Sequence, residues 1–233
     1  MKHFLKRITA LLLVVFICFS AYLVTAGYMM YQRAIEDRSI AEAVAALRRS
    51  EKYVTLEEVP DIYEQAVLAA EDHRFYKHLG VDPISVVRAL VQNIKDGAFS
   101  QGGSTITQQL AKNMFFSNEK KLERKIAEFF VVYELEDNYA KDVILELYIN
   151  SVYYGSGYYC IRDAAKGYFR CAPKDMTDYE ATLLAGVPNA PSVYALNKKN
   201  ELAEKRHEQV LTSMVKYRYI TNEEKQSILN EKE

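Results

Sequence analysis

The apolar positions along this chain follow two regimes. From Ile8 to Met30 the run is unbroken, uncharged and mainly apolar, with Lys2, Lys6 and Arg7 before it and Arg33 after it. As a helix it would rise about 34 Å, against a hydrocarbon layer of roughly 30 Å. The basic front flank predicts a cytoplasmic N-terminus and an outward-facing remainder. A cleaved signal peptide is the rival reading, because Val24-Thr25-Ala26 places small residues before Gly27. The run continues through Tyr28-Met29-Met30, beyond the usual length of a signal core, and this favours a retained anchor. Cys18 lies mid-run without a lipoprotein cleavage pattern around it.

After that run, apolar residues recur at helical spacing. Ala34 to Arg49 is predicted as an amphipathic connecting helix, and Thr55 to Pro60 as a short approach segment. Pro60-Asp61 opens a helix with Ile62, Ala66, Val67 and Ala70 on one side and Glu71 at or just past its end. Asp82-Pro83 starts another, with Ile84, Val87, Leu90, Val91 and Ile94 as its inner stripe and Gly97 as its stop. Gly102-Gly103-Ser104 is a flexible entry to a short helix over Thr105–Lys112, and Asn113–Asn118 reads as a loop near lipid. Further helices are predicted over Leu122–Leu135, Lys141–Tyr148, Tyr159–Tyr168, Asp178–Ala185 and Leu202–Tyr217. Strict alternation is scarce and no repeat is visible, so the fold class is mostly α. The division expected is 1–33 stub and transmembrane anchor, 34–54 juxtamembrane linker, 55–218 catalytic domain and 219–233 tail.

Composition changes this picture little. The 233 residues suit one domain with an appendage, and 49% hydrophobic content suffices for a core. Net charge is −1 and no Arg/Lys block occurs, which argues against a nucleic-acid partner. Tyr is frequent, at 18, and Trp absent, a pattern that suits a half-wet surface or an ordinary core equally. Cys160 and Cys171 are open to two readings, a disulfide in an outward-facing domain or two buried thiols. Neither has the Cys/His company of a zinc site.

Four segments carry candidate chemistry. In EDHRFYKH an apolar helix delivers Glu71 to a polar turn, where it is either a solvated helix-end acid or a base for a hydroxyl proton. Asp72 is expected to organise the turn, and His78 either to orient a carboxylate or to serve the structure. In GGSTITQQLAKN, the backbone at Gly103, the hydroxyls of Ser104, Thr105 and Thr107, the amides of Gln108 and Gln109, and Lys112 with Asn113 offer a surface for an oxygen-rich ligand. The plain alternative is a Gly-rich turn with a capped helix start. No GxxxxGK[ST] is present, so this is not a P-loop. Arg124, Lys125 and Glu128 form either a helix-stabilising pair worth roughly 0.3 kcal/mol or a phosphate clamp with a carboxylate at its edge. In KDVILELYINSVYYGSG the structural reading prevails: Glu146 is an internal brace one turn from Asn150, and Tyr153 with Gly155 and Gly157 shapes a turn.

In this order the segments resemble the peptidoglycan glycosyltransferase family, also found as the glycosyltransferase domain of bifunctional penicillin-binding proteins. EDxxFxxHxG is complete as Glu71, Asp72, Phe75, His78 and Gly80, and GGSTITQQxxKN is complete. RKxxE gives Arg124, Lys125 and Glu128. ILExYLNxxYxG is kept with Ile149 replacing Leu, and RxxxVLxxM matches Arg206, Val210, Leu211 and Met214. The resemblance runs from about Pro60 to Met214. Departures are local: Cys160 stands in place of Gly, Arg170-Cys171 in place of Gly-Lys, and the usual proline after Tyr194 is missing. They put local backbone shape and substrate fit in doubt, not the reaction class.

The resemblance implies a lysozyme-like helical domain with a small membrane-associated lobe over roughly Gly97–Ser117. It implies polymerisation of lipid II into β-1,4-linked glycan with release of polyprenyl diphosphate. Glu71 would be general base, with Lys112, Arg124 and Lys125 on the diphosphate and Glu128 beside them. Mg²⁺ or Mn²⁺ would assist without being obligatory. Phe75, Asp72, His78, Glu146, Asn150 and Tyr153 would give structural support. The implied partners are lipid II, the growing lipid-linked chain, membrane lipid and cell-wall synthesis proteins, at the cell membrane with the catalytic domain outside. No KTG follows and Ser213-Met214-Val215-Lys216 reads as helix surface, so a monofunctional enzyme is expected. Two alternatives are a lysozyme-like hydrolase, which would have no need of Arg124 and Lys125, and an inactive assembly scaffold, from which both glutamates would be dispensable.

Overall fold

The computed structural model describes residues 2–96, 102–116, 121–197 and 200–231. Among these, helices and short 3₁₀ turns make up the regular structure. The long apolar run forms one helix, α1 (Lys2–Glu36), whose most apolar stretch buries nothing against the rest of the chain and is long enough to cross a membrane. The connecting helix expected over Ala34–Arg49 is two pieces. α1 runs on to Glu36, the chain breaks, and Ser39 starts α2 (Ile40–Arg48). Ser39 accepts from the Glu42 amide while the Glu42 carboxylate accepts from the Ser39 amide, so the new helix start satisfies its own donors.

The domain core is built around α3 (Asp61–Glu71), which packs between α9 (Asp178–Ala185) and α11 (Glu201–Lys216). Tyr63, Ala66, Val67 and Leu68 are buried there. α5 (Ile106–Phe115) packs on α6 (Leu122–Asn138) and α7 (Lys141–Ile149). α8 (Ile161–Tyr168) and the short α10 (Pro191–Tyr194) complete the body. The tail expected after residue 218 contains α12 (Asn222–Asn230), capped by Thr221 and held by buried Ile228. Its apolar content is too small to stand out, and packing on α9 and α11 supplies the rest.

α4 (Pro83–Asp96) overturns one expectation. The stripe predicted to face inward is exposed, from 46% at Val91 to 71% at Ile94, with Ile84, Val87 and Leu90 between. Ala89, on the other side, is buried. Periodicity shows that a helix has one apolar face and is silent on what the face meets. The predicted stop at Gly97 lies outside the described residues. Asn113–Asn118 is likewise not a loop as far as it is described: α5 continues to Phe115, and Met114, Phe115 and Phe116 are half-buried against the core. Ser117 and Asn118 lie outside the described residues, as does part of the expected lobe at 97–101.

Glu146 of α7 and Asn150 at its C-terminal cap bind the segment that precedes α3. Glu146 accepts from the Tyr53 hydroxyl at 2.9 Å and the Leu56 amide at 3.2 Å. Asn150 accepts from Val54 N at 2.9 Å and donates to the carbonyls of Val54 and Glu146 at 2.7 and 2.8 Å. The approach segment is thereby fastened to α7. Asn150→Ala should destabilise the domain by about 2–3 kcal/mol, since it strands buried backbone groups at Val54. A shift in the denaturant midpoint of the detergent-solubilised protein measures this; an unchanged midpoint would show the clamp to be idle. Tyr153 accepts from Gly157 N at 3.3 Å and stacks on Tyr159, and Gly155 and Gly157 take the positive φ this turn needs. Cys160 is buried and Cys171 half-buried, and both are free thiols.

Candidate active site

Glu71 is the last residue of α3, as its place after Ala69-Ala70 predicted. Its carboxylate is nearly buried and doubly held. Gln109 Nε2 donates to Oε2 at 2.8 Å, and Arg206 Nη2 donates to Oε1 at 3.2 Å. An ionised carboxyl has about four lone-pair sites, so capacity for a further donor is left. Gln109 in turn accepts from the buried Tyr148 hydroxyl at 3.4 Å.

The turn after Glu71 is organised by Asp72. Both its oxygens lie 3.0 Å from His78 Nε2, and Oδ2 also accepts from Ile106 N at 3.2 Å. Asp72 therefore joins the end of α3 to the start of α5, with His78 orienting it, and Phe75 fills the core beneath. At that start Thr105 is the cap: its hydroxyl accepts from Gln108 N and donates to Gly80 O, while Gln108 Oε1 accepts from Thr105 N. Thr105 and Gln108 are buried, and Thr107 donates to Glu136. All three polar groups are engaged inside the protein: Thr105 and Gln108 cap the start of α5, and Thr107 ties α5 to α6. Gly103 packs its backbone against Val86 of α4, where an added Cβ would come within 3.2 Å of Val86 Cα. Ser104 and Asn113 are exposed.

The basic group lies beyond, on α5 and α6. Glu128 is 1% exposed, accepts from Arg124 and pairs with Lys125 at 2.9 Å. Lys125 Nζ also donates to Ser104 Oγ at 3.4 Å. Burial, then the Arg124 and Lys112 charges, push the Lys125 ammonium down to about 8. Burial and Arg124 lower Lys112 as well. Gln109 and Lys112 are three residues apart on α5, hence on one face about a turn apart. One helix thus carries the Glu71 contact and a member of the cationic group.

A model of the transglycosylase family matches residues 37–215. This chain belongs to the transglycosylase family. Among similar proteins, Penicillin-binding protein 1A/1B of Bacillus subtilis (strain 168) is 40% identical over 193 residues, covering 82% of this chain and 21% of the relative. Penicillin-binding protein 1A of Neisseria lactamica is 42% identical over 180 residues, 77% of this chain and 23% of the relative. That of Aquifex aeolicus (strain VF5) is 42% identical over 178 residues, 76% and 24%. The transglycosylase chain therefore spans between a fifth and a quarter of these curated relatives.

Arg206 and Tyr148 are the site residues to which sequence reasoning assigned no role. Arg206 was visible as part of RxxxVLxxM, and the usable signal is its register: it shares the inner stripe of α11 with buried Val210 and Met214. An arginine on a buried stripe needs an anionic partner. Among the described residues, no group of three or more His, Cys, Asp or Glu is arranged to hold a metal ion.

Proposed function

We propose that this transglycosylase polymerises lipid II into β-1,4-linked peptidoglycan strands by inverting transfer, on a helical domain of the lysozyme-like kind. The observation that carries the reading is the shared face of α5, which sets Gln109 on Glu71 and Lys112 among Arg124 and Lys125. A base and a cationic group placed together suit the two ends of one displacement.

In this mechanism Glu71 takes the proton of the acceptor GlcNAc 4-hydroxyl. That oxygen bonds to C1 of the donor MurNAc, and the C1–O bond to diphosphate breaks with its electron pair leaving on the diphosphate. Configuration at C1 inverts from α to β. Gln109 and Arg206 hold the carboxylate in place, which matters because a loosely positioned base loses much of its effect. Lys112, Arg124 and Lys125 balance the charge developing on the leaving oxygen, and Glu128 positions the two α6 cations. Diphosphate is already a good leaving group, so no protonated acid like that of a glycosidase is required. The exposed apolar face of α4 and the long helix α1 support a single-pass protein working at a lipid surface, with its N-terminus cytoplasmic and the domain outside.

Incubation with labelled lipid II tests the reading directly. Polymer that muramidase cleaves to disaccharide units is the expected product. Release of short fragments from preformed glycan, without polymer, would favour the hydrolase; neither product would favour the scaffold.

The lowered Lys125 adds a pH signature. A lysine with its pKa near 8 is charged below that pH and loses its charge as pH rises through it. kcat/KM should therefore fall above about pH 8, and Lys125→Arg, which stays charged, should carry the alkaline limb to higher pH. An alkaline limb that does not move in Lys125→Arg would remove Lys125 as its source.

A further inference from the structure

α1 does more than end near the domain. Its last turns lie along α6, the helix that carries Arg124, Lys125 and Glu128. Gly27 is buried within a helix otherwise largely exposed, because the two helices touch there. A Cβ at Gly27 would stand 2.5 Å from Ile126 Cγ2 and 3.1 Å from the Glu123 carbonyl oxygen. An added side chain therefore requires Ile126 and the adjoining α6 backbone to shift. Next to it Tyr28, and one turn on Tyr31, pack their rings on Phe130 at 5.3 and 5.5 Å. The Tyr31 hydroxyl then donates to Glu134 Oε2 at 2.7 Å. Close backbone approach at a small residue and an interhelical hydrogen bond are what hold helices together where water is scarce.

At 3.6 residues per turn, Ile126, Phe130 and Glu134 lie on one side of α6, and Arg124 and Glu128 on roughly the opposite side. A rigid helix between them converts displacement of one face into displacement of the other. We propose that the Gly27–Ile126 contact and the Tyr31–Glu134 bond are positioning elements, through which the anchor sets the placement of the cationic side of the site. This rests on the glycosyl-transfer reading. It assigns α1 a part in turnover beyond holding the enzyme at the membrane.

The test uses the full chain in detergent or proteoliposomes, as Gly27→Ala and, separately, Tyr31→Phe. Alanine is the better helix former, so a loss in Gly27→Ala cannot come from a weaker α1. Tyr31→Phe keeps the ring and removes only the hydrogen bond. Both variants are first shown to be membrane-retained and to melt like wild type. A fall in kcat of about tenfold for Gly27→Ala and a smaller fall for Tyr31→Phe, with KM little changed, is expected, since displacements of an ångström at a reacting centre cost up to about 10²-fold. Wild-type kcat in both variants, or a rise in KM alone as for an anchor that only delivers substrate, would overturn the proposal. Hydrogen exchange across Leu122–Glu128 is read in the same preparations and needs no activity. Faster exchange in Gly27→Ala supports the coupling, and unchanged exchange overturns it. Absence of polymer from the wild type would count against the glycosyl-transfer reading alone, and the exchange result would still decide this one.

Discussion

Glu71→Gln is expected to lower lipid II polymerisation by at least about 10²-fold, the lower end of what a positioned general base contributes. The substitution keeps size and most of the packing at the end of α3. It removes the carboxylate proposed to take the acceptor's proton. It also sets an amide where two donors already converge, since Gln109 Nε2 and Arg206 Nη2 both point at this carboxyl. The amide's one oxygen can satisfy one of them, and its NH₂ opposes the other. Binding of a lipid-linked diphosphate analogue should persist, because Lys112, Arg124 and Lys125 are untouched. Turnover and analogue binding are measured on variants shown by thermal melting to be folded. Near-normal polymerisation by Glu71→Gln would end its assignment as base and leave it a partner of Arg206.

For Glu128→Gln the expected loss is about 10²-fold in turnover, comparable to deleting an oxyanion-hole donor, but with donor binding weakened as well. Glu128 is buried and holds Arg124 and Lys125 together. Without its charge, two cations and nearby Lys112 repel one another in a partly desolvated place. Lys125, already lowered to about 8, then loses its proton more readily. The alkaline limb of kcat/KM should move down in pH in this variant, the opposite of its movement in Lys125→Arg. Unchanged turnover and analogue binding in Glu128→Gln would reduce the residue to a helix salt bridge.

Most elements were legible because their signals are local. Pro60-Asp61 and Asp82-Pro83 started α3 and α4 as read, and the Thr177/Glu180 pair caps α9, predicted to its end residues. Glu146 and Asn150 lie within and at the end of an apolar helix, where polar side chains must find partners, and both find them in the segment before α3. The break between α1 and α2 was missed although Ser39 and Glu42 spell a capping box, because apolar spacing runs on across it. Gln108 and Gln109 are adjacent and chemically identical, yet one is spent in a cap and the other holds Glu71. Only the direction each takes from α5 separates them.

The sequence by itself determined the helical class, the long apolar segment, the family to which the motifs belong and the two glutamates worth testing. These follow from spacing and residue type, which act over a few positions. Tertiary structure alone decided that the apolar stripe of α4 faces outward, that Arg206 reaches Glu71 across 135 positions, and that Gly27 seats α1 against α6. Each of these depends on which surfaces the packed helices bring together. A one-dimensional pattern records that a face is apolar or a residue charged, and the partner is chosen only when the chain folds.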